Sequence, residues 1–213
     1  MGNRWCIALA CNIRSPMGNQ LAKTIIGTHD SITAHPPRKW WMVLFKWIAV
    51  TQDKTIYQQY ADGCRSFDLR IRLNKDNKWI FAHGLYEVNI DVYDVLYWLK
   101  QQAEQMREQV YIRIVLEDKK HCDKEVRRFT EFCCNAEALS NYITFIAGNR
   151  KSDWKQLYQF SYPNQQQWMP VSSCAEDARW YERLFPRAYA KRMNAHNLAN
   201  IPPKYGFAFF DFL

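Results

Sequence analysis

A chain of 213 residues with 48% hydrophobic residues and only 7 Gly and 8 Pro is expected to form a single domain, 1–213, and its composition excludes intrinsic disorder. No run of eighteen apolar residues is present, so no membrane-spanning segment is expected. The formal net charge of +8 favours anionic partners such as phospholipid headgroups, but the basic residues form no stripe with aromatic residues, so nucleic acid is not an expected partner.

The beginning of the chain carries a short apolar run at 5–11 with a weak basic region, near the lower length limit for a signal peptide. The seven cysteines include no C-x-x-C pair, and their odd number argues against a complete disulfide framework or a zinc site. Reduced thiols in a cytosol-like compartment fit best. We therefore expect a cytoplasmic or peripheral membrane location, with secretion as an open alternative.

Three short apolar runs each contain polar residues or end in them. The first ends at His29 and Asp30, the second contains Asp68 and Arg70, and the third ends at His83. Buried parallel strands deliver catalytic groups to their carboxyl ends in this way. Two histidines, carboxylates and a fixed positive charge at one edge would suit cleavage of a phosphodiester.

An aromatic segment at 38–50 follows the first of these motifs, and its residues Trp40, Val43, Leu44 and Trp47 share one face at helical spacing. One interpretation is a buried crossover helix. The other is a helix at the rim of the site, where Trp40, Trp41 and Trp47 would contact a lipid surface or a partner.

The remaining pattern alternates strands with helices, which predicts an α/β fold, specifically a compact or incomplete TIM-type β/α barrel. Seven strands are expected, one fewer than a closed barrel has, so a strand has been lost, another chain completes the barrel, or the barrel stays open. In chain order after 52, the predicted elements are a helix at 52–62, strands at 63–73 and 79–83, a helix at 92–108, a strand at 110–116, a helix at 124–139, strands at 142–147 and 167–172, a helix at 176–197 interrupted by Pro186, and a strand at 205–213.

Acid and base catalysis by two histidines requires that one is neutral and the other protonated at the same pH. The ordinary histidine pKa near 6.5 allows both states if neighbouring carboxylates hold each ring. Asp30, Asp68 and Asp211 are the available carboxylates. Arg70 would face the phosphoryl oxygens and stabilise the negative charge that develops on them.

The combined order of these motifs resembles the X region of phosphatidylinositol-specific phospholipase C. The resemblance is closest to the bacterial, metal-independent type, and it runs from about 23 to 118 with a weaker similarity at 209–212. The motifs that carry it are Gly27-Thr28-His29-Asp30-Ser31, Gln52, Gln58, Gly63-Cys64-Arg65, Phe67-Asp68-Leu69-Arg70 and His83-Gly84.

The resemblance implies that the inositol 2-hydroxyl attacks phosphorus, which yields a cyclic inositol phosphate and releases diacylglycerol. It implies His29 as the general base and His83 as the general acid. Its supporting assignments are Asp30 as the partner of His83, Arg70 as the phosphoryl-stabilising cation, Asp68 as the support of that cluster, and Asp211 as the residue that orients His29.

Two departures from the family pattern concern metal and substrate. Arg70 stands where calcium-dependent relatives have an acidic ligand, which implies no metal, whereas Glu117 stands where the bacterial type tends to have lysine. Calcium therefore stays possible with Glu117 and Asp68 as ligands. Glu117 and Arg150 are the candidate substrate-binding residues, and no aspartate that could hold the inositol hydroxyls is found near 171–173.

The main alternative is a catalytically inactive barrel that acts as an interaction or structural component of a larger assembly. The short chain and the missing strand favour it, whereas the joint presence of the two histidines and their charged neighbours argues for catalysis. The other histidines, His35, His121 and His196, are assigned to solvent or to helix capping.

Overall fold

The computed structural model describes residues 24–117, 123–138, 140–146, 166–203 and 206–213. Six strands within these ranges run parallel in the spatial order β7, β8, β1, β2, β5, β6. Their bounds are Ile25–Thr28 for β1, Ser66–Leu73 for β2, Val110–Leu116 for β5, Ile143–Ile146 for β6, Gln167–Trp168 for β7 and Phe207–Phe210 for β8.

The two outer strands of this parallel sheet, β6 and β7, do not pair with each other within the described ranges. The sheet is therefore an open, incomplete TIM-type β/α barrel, as the strand pattern predicts. Its centre is the most buried part, because all seven residues of β5 are buried. Apolar, β-branched strands of this kind are typical of a parallel sheet that is covered on both faces.

An antiparallel hairpin, β3 (Trp79–His83) and β4 (Tyr86–Asp91), extends the sheet on one side of β2. The prediction that β3 is one of the parallel strands is wrong, and β4 is absent from the predicted elements. The reason is length: β2 has eight residues and β1 only four, so β2 continues beyond the end of β1. There β3 pairs with it at Ile71 to Leu73 and returns toward the carboxyl end of β1.

Alternation along the central strands separates an apolar face from a polar face. Phe67, Leu69 and Ile71 of β2 pack in the main hydrophobic core, together with residues of the covering helices. The intervening residues Asp68 and Arg70 lie on the opposite face, inside the barrel. Asp68 is in register with Arg113 of β5, which brings buried charges into the interior.

The described part of the chain contains five α-helices beside the strands: α1 (Lys46–Ala49), α2 (Ile56–Ala61), α3 (Val92–Met106), α4 (Asp123–Glu137) and α5 (Pro186–Ala199). Two of them begin later than the pattern predicts. Helix α2 begins after Thr55, whose side chain forms a reciprocal capping box with Gln58. Helix α5 begins at Pro186, since proline fits the first helical position and cannot continue a helix through its interior.

The aromatic segment, defined here as 40–48, forms a 3-10 helix (Trp40–Phe45) that runs into α1. Trp40 is 84% exposed, Leu44 69% and Trp47 53%, whereas Met42 is 2% exposed. The interpretation as a buried crossover helix is therefore wrong. No helix in the described ranges is both long enough and apolar enough to cross a bilayer.

Candidate active site

The end of β1 approaches β2 very closely at Gly27. A Cβ atom on Gly27 would lie 2.4 Å from the backbone oxygen of Ser66, so any larger residue would push the two strands apart. Beyond the strand, Asp30 adopts a left-handed conformation with φ of 45°. The turn is held because the Ser31 N–H donates to the Asp68 carbonyl, and its hydroxyl donates to the Thr28 carbonyl. This turn presents His29 and Asp30 at the carboxyl edge of the sheet.

His29 is buried between a carboxylate and a guanidinium. Its Nδ1 lies 2.7 Å from Oδ1 of Asp211, and its Nε2 contacts the guanidinium of Arg70. Because arginine only donates, Nε2 must accept, so the ring proton lies on Nδ1 and is donated to Asp211. Burial, aided by the Arg70 charge, holds the pKa of His29 well below its ordinary value. The geometry and the charge both favour a neutral His29.

Asp211 comes from the residue directly after β8, at the far end of the chain. Burial raises the pKa of this carboxyl well above its ordinary value, and a carboxylate with higher proton affinity is a stronger acceptor for an imidazole N–H. Gln52 fixes the pairing of the two strand ends, because its amide donates to the carbonyls of His29 and Phe210 at 2.8 Å each. Asn194 of α5 donates to the carbonyl of Asp211 at 2.8 Å.

His83 ends β3 and faces a different set of partners. Its Nδ1 lies 2.8 Å from the Ala49 carbonyl oxygen, which can only accept, so Nδ1 carries a proton. Its Nε2 lies 3.3 Å from Oδ2 of Asp30, and Nε2 of His29 lies at the same distance from that oxygen. Both nitrogens of His83 thus face oxygen atoms, whereas Nε2 of His29 faces the guanidinium of Arg70. Asp30 therefore stands between two histidines in opposite environments.

Arg70 lies at the centre of the buried charges. Its guanidinium pairs with Asp30 and Asp68, and its Nη1 lies 3.7 Å from Oε2 of Glu117. Arg113 pairs with the other oxygen of Asp68. Although burial opposes it, the charges of Arg113 and Arg70 hold the pKa of Asp68 well below its ordinary value. Asp68 is therefore a fixed anion that orients two cations.

The sequence prediction did not include Arg113 or Asn194, and it named Gln52 only as part of the family motif. Arg113 is fully buried, and it also donates to Gln167 at 3.1 Å. The sequence does point to Arg113, because it is the one charged residue of the apolar strand β5. A charge in a buried strand requires a partner. Gln52 and Asn194 carry no comparable signal, because amide side chains are common on surfaces and in loops.

A metal ion could use His29, Asp30 and Asp68, which offer ligand atoms within 4.8 Å of one another. The guanidinium of Arg70 contacts all three of these side chains. A divalent ion could take these donors only by displacing the arginine, so the donor set and its resident cation do not fit a metal as they stand.

The remaining candidates differ in position. The side chain of Glu117 is 6% exposed and lies in the site beside Arg70. Arg150 and His121 lie outside the described residues. His35 is buried rather than solvated, and its Nε2 accepts from the N–H of Ile56, the first residue of α2, so its capping assignment fits the geometry. His196 lies in the last turn of α5.

Comparison with solved structures gives the same fold in bacterial enzymes. The phosphatidylinositol-specific phospholipase C from Listeria monocytogenes superposes with a TM-score of 0.61 at 19% identity, over 91% of this chain and 89% of that chain. A Staphylococcus aureus phosphatidylinositol-specific phospholipase C, described in a study of the modulation of its membrane binding, gives a TM-score of 0.62 at 16% identity, over 92% of this chain and 88% of that chain.

Comparison with the curated protein sequences gives no significant match. The family model of the phosphatidylinositol-specific phospholipase C X domain matches residues 27–143, which is more than half of the chain and includes the end of β1, His29, His83 and Glu117. By this match, the chain belongs to the family of the phosphatidylinositol-specific phospholipase C X domain.

Proposed function

We propose that this protein is a metal-independent phosphodiesterase that cleaves phosphatidylinositol by general acid and base catalysis. The observation that carries the proposal is the opposite environment of the two histidines around Asp30. His29 accepts from a cation at Nε2, whereas His83 faces acceptors at both nitrogens. A base and an acid that work at the same pH need this difference.

In the proposed reaction, Nε2 of His29 removes the proton of a hydroxyl adjacent to the phosphoester. The freed oxygen forms a new bond to phosphorus, and the bond from phosphorus to the leaving oxygen breaks as His83 donates its proton to that oxygen. With phosphatidylinositol as substrate, the products are a cyclic inositol phosphate and diacylglycerol. Asp211 stabilises the imidazolium that forms on His29.

Arg70 supplies the positive charge for the phosphoryl group in this proposal. Its guanidinium is fully ionised at any physiological pH and offers several donors in one plane. The incoming phosphoryl group competes with Nε2 of His29 for these donors, so substrate binding also frees the lone pair of the base. The contacts of Arg70 with Asp30 and Asp68 support a role in place of a metal ion.

The aromatic segment supports a peripheral contact with the surface of a membrane. Trp40, Trp41 and Trp47 are exposed. The ring centroids of Trp47 and Phe185 lie 5.1 Å apart, so Phe185 adds a further exposed aromatic residue to the patch. Ala49 directly follows the segment and its carbonyl accepts from His83, so a membrane bound here would lie next to the site. The net charge of +8 favours an anionic surface.

The test is the release of cyclic inositol phosphate from phosphatidylinositol micelles, with either a calcium chelator or added calcium. We expect equal release in both conditions. Activity that requires calcium would contradict the role of Arg70 and would favour Glu117 and Asp68 as ligands. No release in either condition would favour the inactive interaction component.

Two variants test the acid and base assignments in the same assay. His29→Ala and His83→Ala should each reduce turnover by at least ~100-fold, the lower end of what a general acid or base contributes. Circular dichroism of each variant should match the native protein. Turnover within about threefold of the native protein, a change of only about 0.6 kcal/mol in activation free energy, would contradict the mechanism.

A further inference from the structure

The backbone immediately after His83 is held by two charged side chains. The N–H of Gly84 donates to Oε1 of Glu117 at 2.8 Å, and the carbonyl of Gly84 accepts from Arg72 at 2.8 Å. Gly84 has a φ of 58°, a left-handed conformation that most other residues adopt only under strain. The direction in which His83 leaves β3 is therefore set at this peptide.

Glu117 reaches this peptide from a different strand. It follows β5 directly, and its own N–H donates to the carbonyl of Ile71 in β2, which fixes its backbone to the centre of the sheet. Its side chain is 6% exposed, although Gly84 itself lies at the surface. Glu117 thus connects the turn after His83 to the buried centre of the sheet.

The second oxygen of Glu117 faces the phosphoryl-binding cation. Oε2 lies 3.7 Å from Nη1 of Arg70, while Oε1 holds Gly84. One carboxylate therefore spans the distance between the cation that would bind the phosphoryl group and the backbone that carries the general acid. A side chain whose two oxygens both have protein partners is poorly placed to bind a sugar hydroxyl.

We propose that Glu117 is a positioning residue for His83, and that it fixes the general acid through the Gly84 peptide rather than binding substrate or metal. This inference rests on the proposed function. It assigns the essential property of Glu117 to its hydrogen-bond acceptor and not to its charge. The amide of glutamine retains an acceptor of similar reach, so Glu117→Gln should preserve the function, whereas the apolar Glu117→Met should not.

The experiment compares two soluble substrates that differ in their need for a general acid. Dihexanoyl phosphatidylinositol, dissolved as monomers, has an alkoxide leaving group that must be protonated. The 4-nitrophenyl ester of inositol phosphate releases nitrophenolate, a much weaker base that leaves without a proton. The readout is the ratio of kcat values on the two substrates, which does not depend on the fraction of enzyme that is folded.

For Glu117→Met we expect a loss of at least ~10-fold on the lipid substrate and less than ~3-fold on the nitrophenyl substrate, because displacement of a catalytic group by about 1 Å costs up to ~100-fold. Glu117→Gln should keep both activities within ~3-fold of the native enzyme. His83→Ala is the reference, since it removes the acid itself and should show the same pattern more strongly. His29→Ala should lose both activities equally.

Three results would overturn the inference. Equal losses on both substrates in Glu117→Met would assign Glu117 to phosphoryl binding or to general stability. Equal losses of kcat on the lipid substrate in Glu117→Gln and Glu117→Met would show that the charge of Glu117 is essential. Full activity of Glu117→Met would show that Glu117 does not position His83. An inactive native enzyme would instead contradict the proposed function, so the two failures are distinguishable.

Discussion

His29 and His83 carry the same side chain but face partners of opposite character. Arg70 directs its donors at the ring of His29, whereas the ring of His83 has the Ala49 carbonyl beside Nδ1 and the Asp30 carboxylate 3.3 Å from Nε2. These partners come from separate parts of the chain, so no local motif contains the information. The difference in environment that the proposed chemistry needs is created by tertiary structure.

The pKa of His29 gives the first prediction, which concerns the acid limb of the pH profile. The base works only when neutral, so kcat/KM should fall as the pH drops through the pKa of His29. Burial and the charge of Arg70 lower that pKa below 6.5. We therefore expect the midpoint of the acid limb below pH 6.5, measured with a soluble substrate so that vesicle binding does not contribute.

Arg113 offers a matched pair of variants for this measurement. Its charge also lowers the pKa of His29, so Arg113→Met should move the acid limb to higher pH, while Arg113→Lys, which retains the charge, should leave it nearly unchanged. A native midpoint at or above 6.5, or equal shifts in both variants, would show that these charges do not control the base.

The sequence predicts the candidate catalytic residues better than it predicts the residues that hold them in place. His29, Asp30, Asp68, Arg70, His83 and Asp211 follow or end apolar runs, and parallel strands bring such positions to one edge. Arg113 is not among the predicted site residues, because it lies in the middle of an apolar strand and not at its end. Gln52 was noted only for its motif, since its two carbonyl partners lie 23 and 158 positions away.

At the scale of elements, the excess length of β2 over β1 decides the position of the second histidine. An eight-residue strand beside a four-residue strand leaves an unpaired edge, and β3 occupies it in the antiparallel direction. The sequence of β4, Tyr-Glu-Val-Asn-Ile-Asp, alternates with the period of a half-buried strand and could have revealed the hairpin. Strand direction has no such signal, because β3 is apolar up to its last residue, His83.

The aromatic segment gives a prediction at this scale. Trp40→Ala combined with Trp47→Ala should weaken binding to anionic vesicles by at least ~10-fold, because two exposed indole rings no longer enter the interface. Hydrolysis of a soluble substrate and the melting temperature should stay within error of the native values. Vesicle co-sedimentation, a soluble assay and thermal denaturation measure the three quantities.

Met42→Ala is the control within the same segment. Met42 is buried, so its truncation should lower the free energy of unfolding by about 2 to 5 kcal/mol. Vesicle binding by the folded fraction should be retained. A similar loss of stability in the double tryptophan variant would mean that these rings pack in the core, contrary to their exposure.

For the whole molecule, periodicity predicts an open α/β barrel because most strands and helices have strong patterns, and β3 and β5 are predicted at their observed bounds. Periodicity does not predict which strands that are distant in sequence pair with each other. Strand β1 pairs on one side with β2 and on the other with β8. Local pattern cannot choose these neighbours, since the choice depends on how all the strands pack together.

The net charge of +8 leads to a prediction for the whole molecule. Raising the salt concentration from 0.1 to 1 M shortens the Debye length from about 10 to about 3 Å, so affinity for anionic vesicles should fall by at least ~10-fold. Affinity for neutral phosphatidylcholine vesicles, which depends on the aromatic segment, should not fall. Salt-independent binding to anionic vesicles would mean that the basic residues face away from the membrane.

The contact between His29 and Asp211 has a consequence for the synthesis of the protein. The two residues lie 182 positions apart, and β8 is the last strand of the described chain to leave the ribosome. Until β8 docks beside β1, no carboxylate orients the base, and closing so long a loop is slow. On the proposed mechanism, a nascent chain cannot hydrolyse lipid before β8 has emerged and docked beside β1.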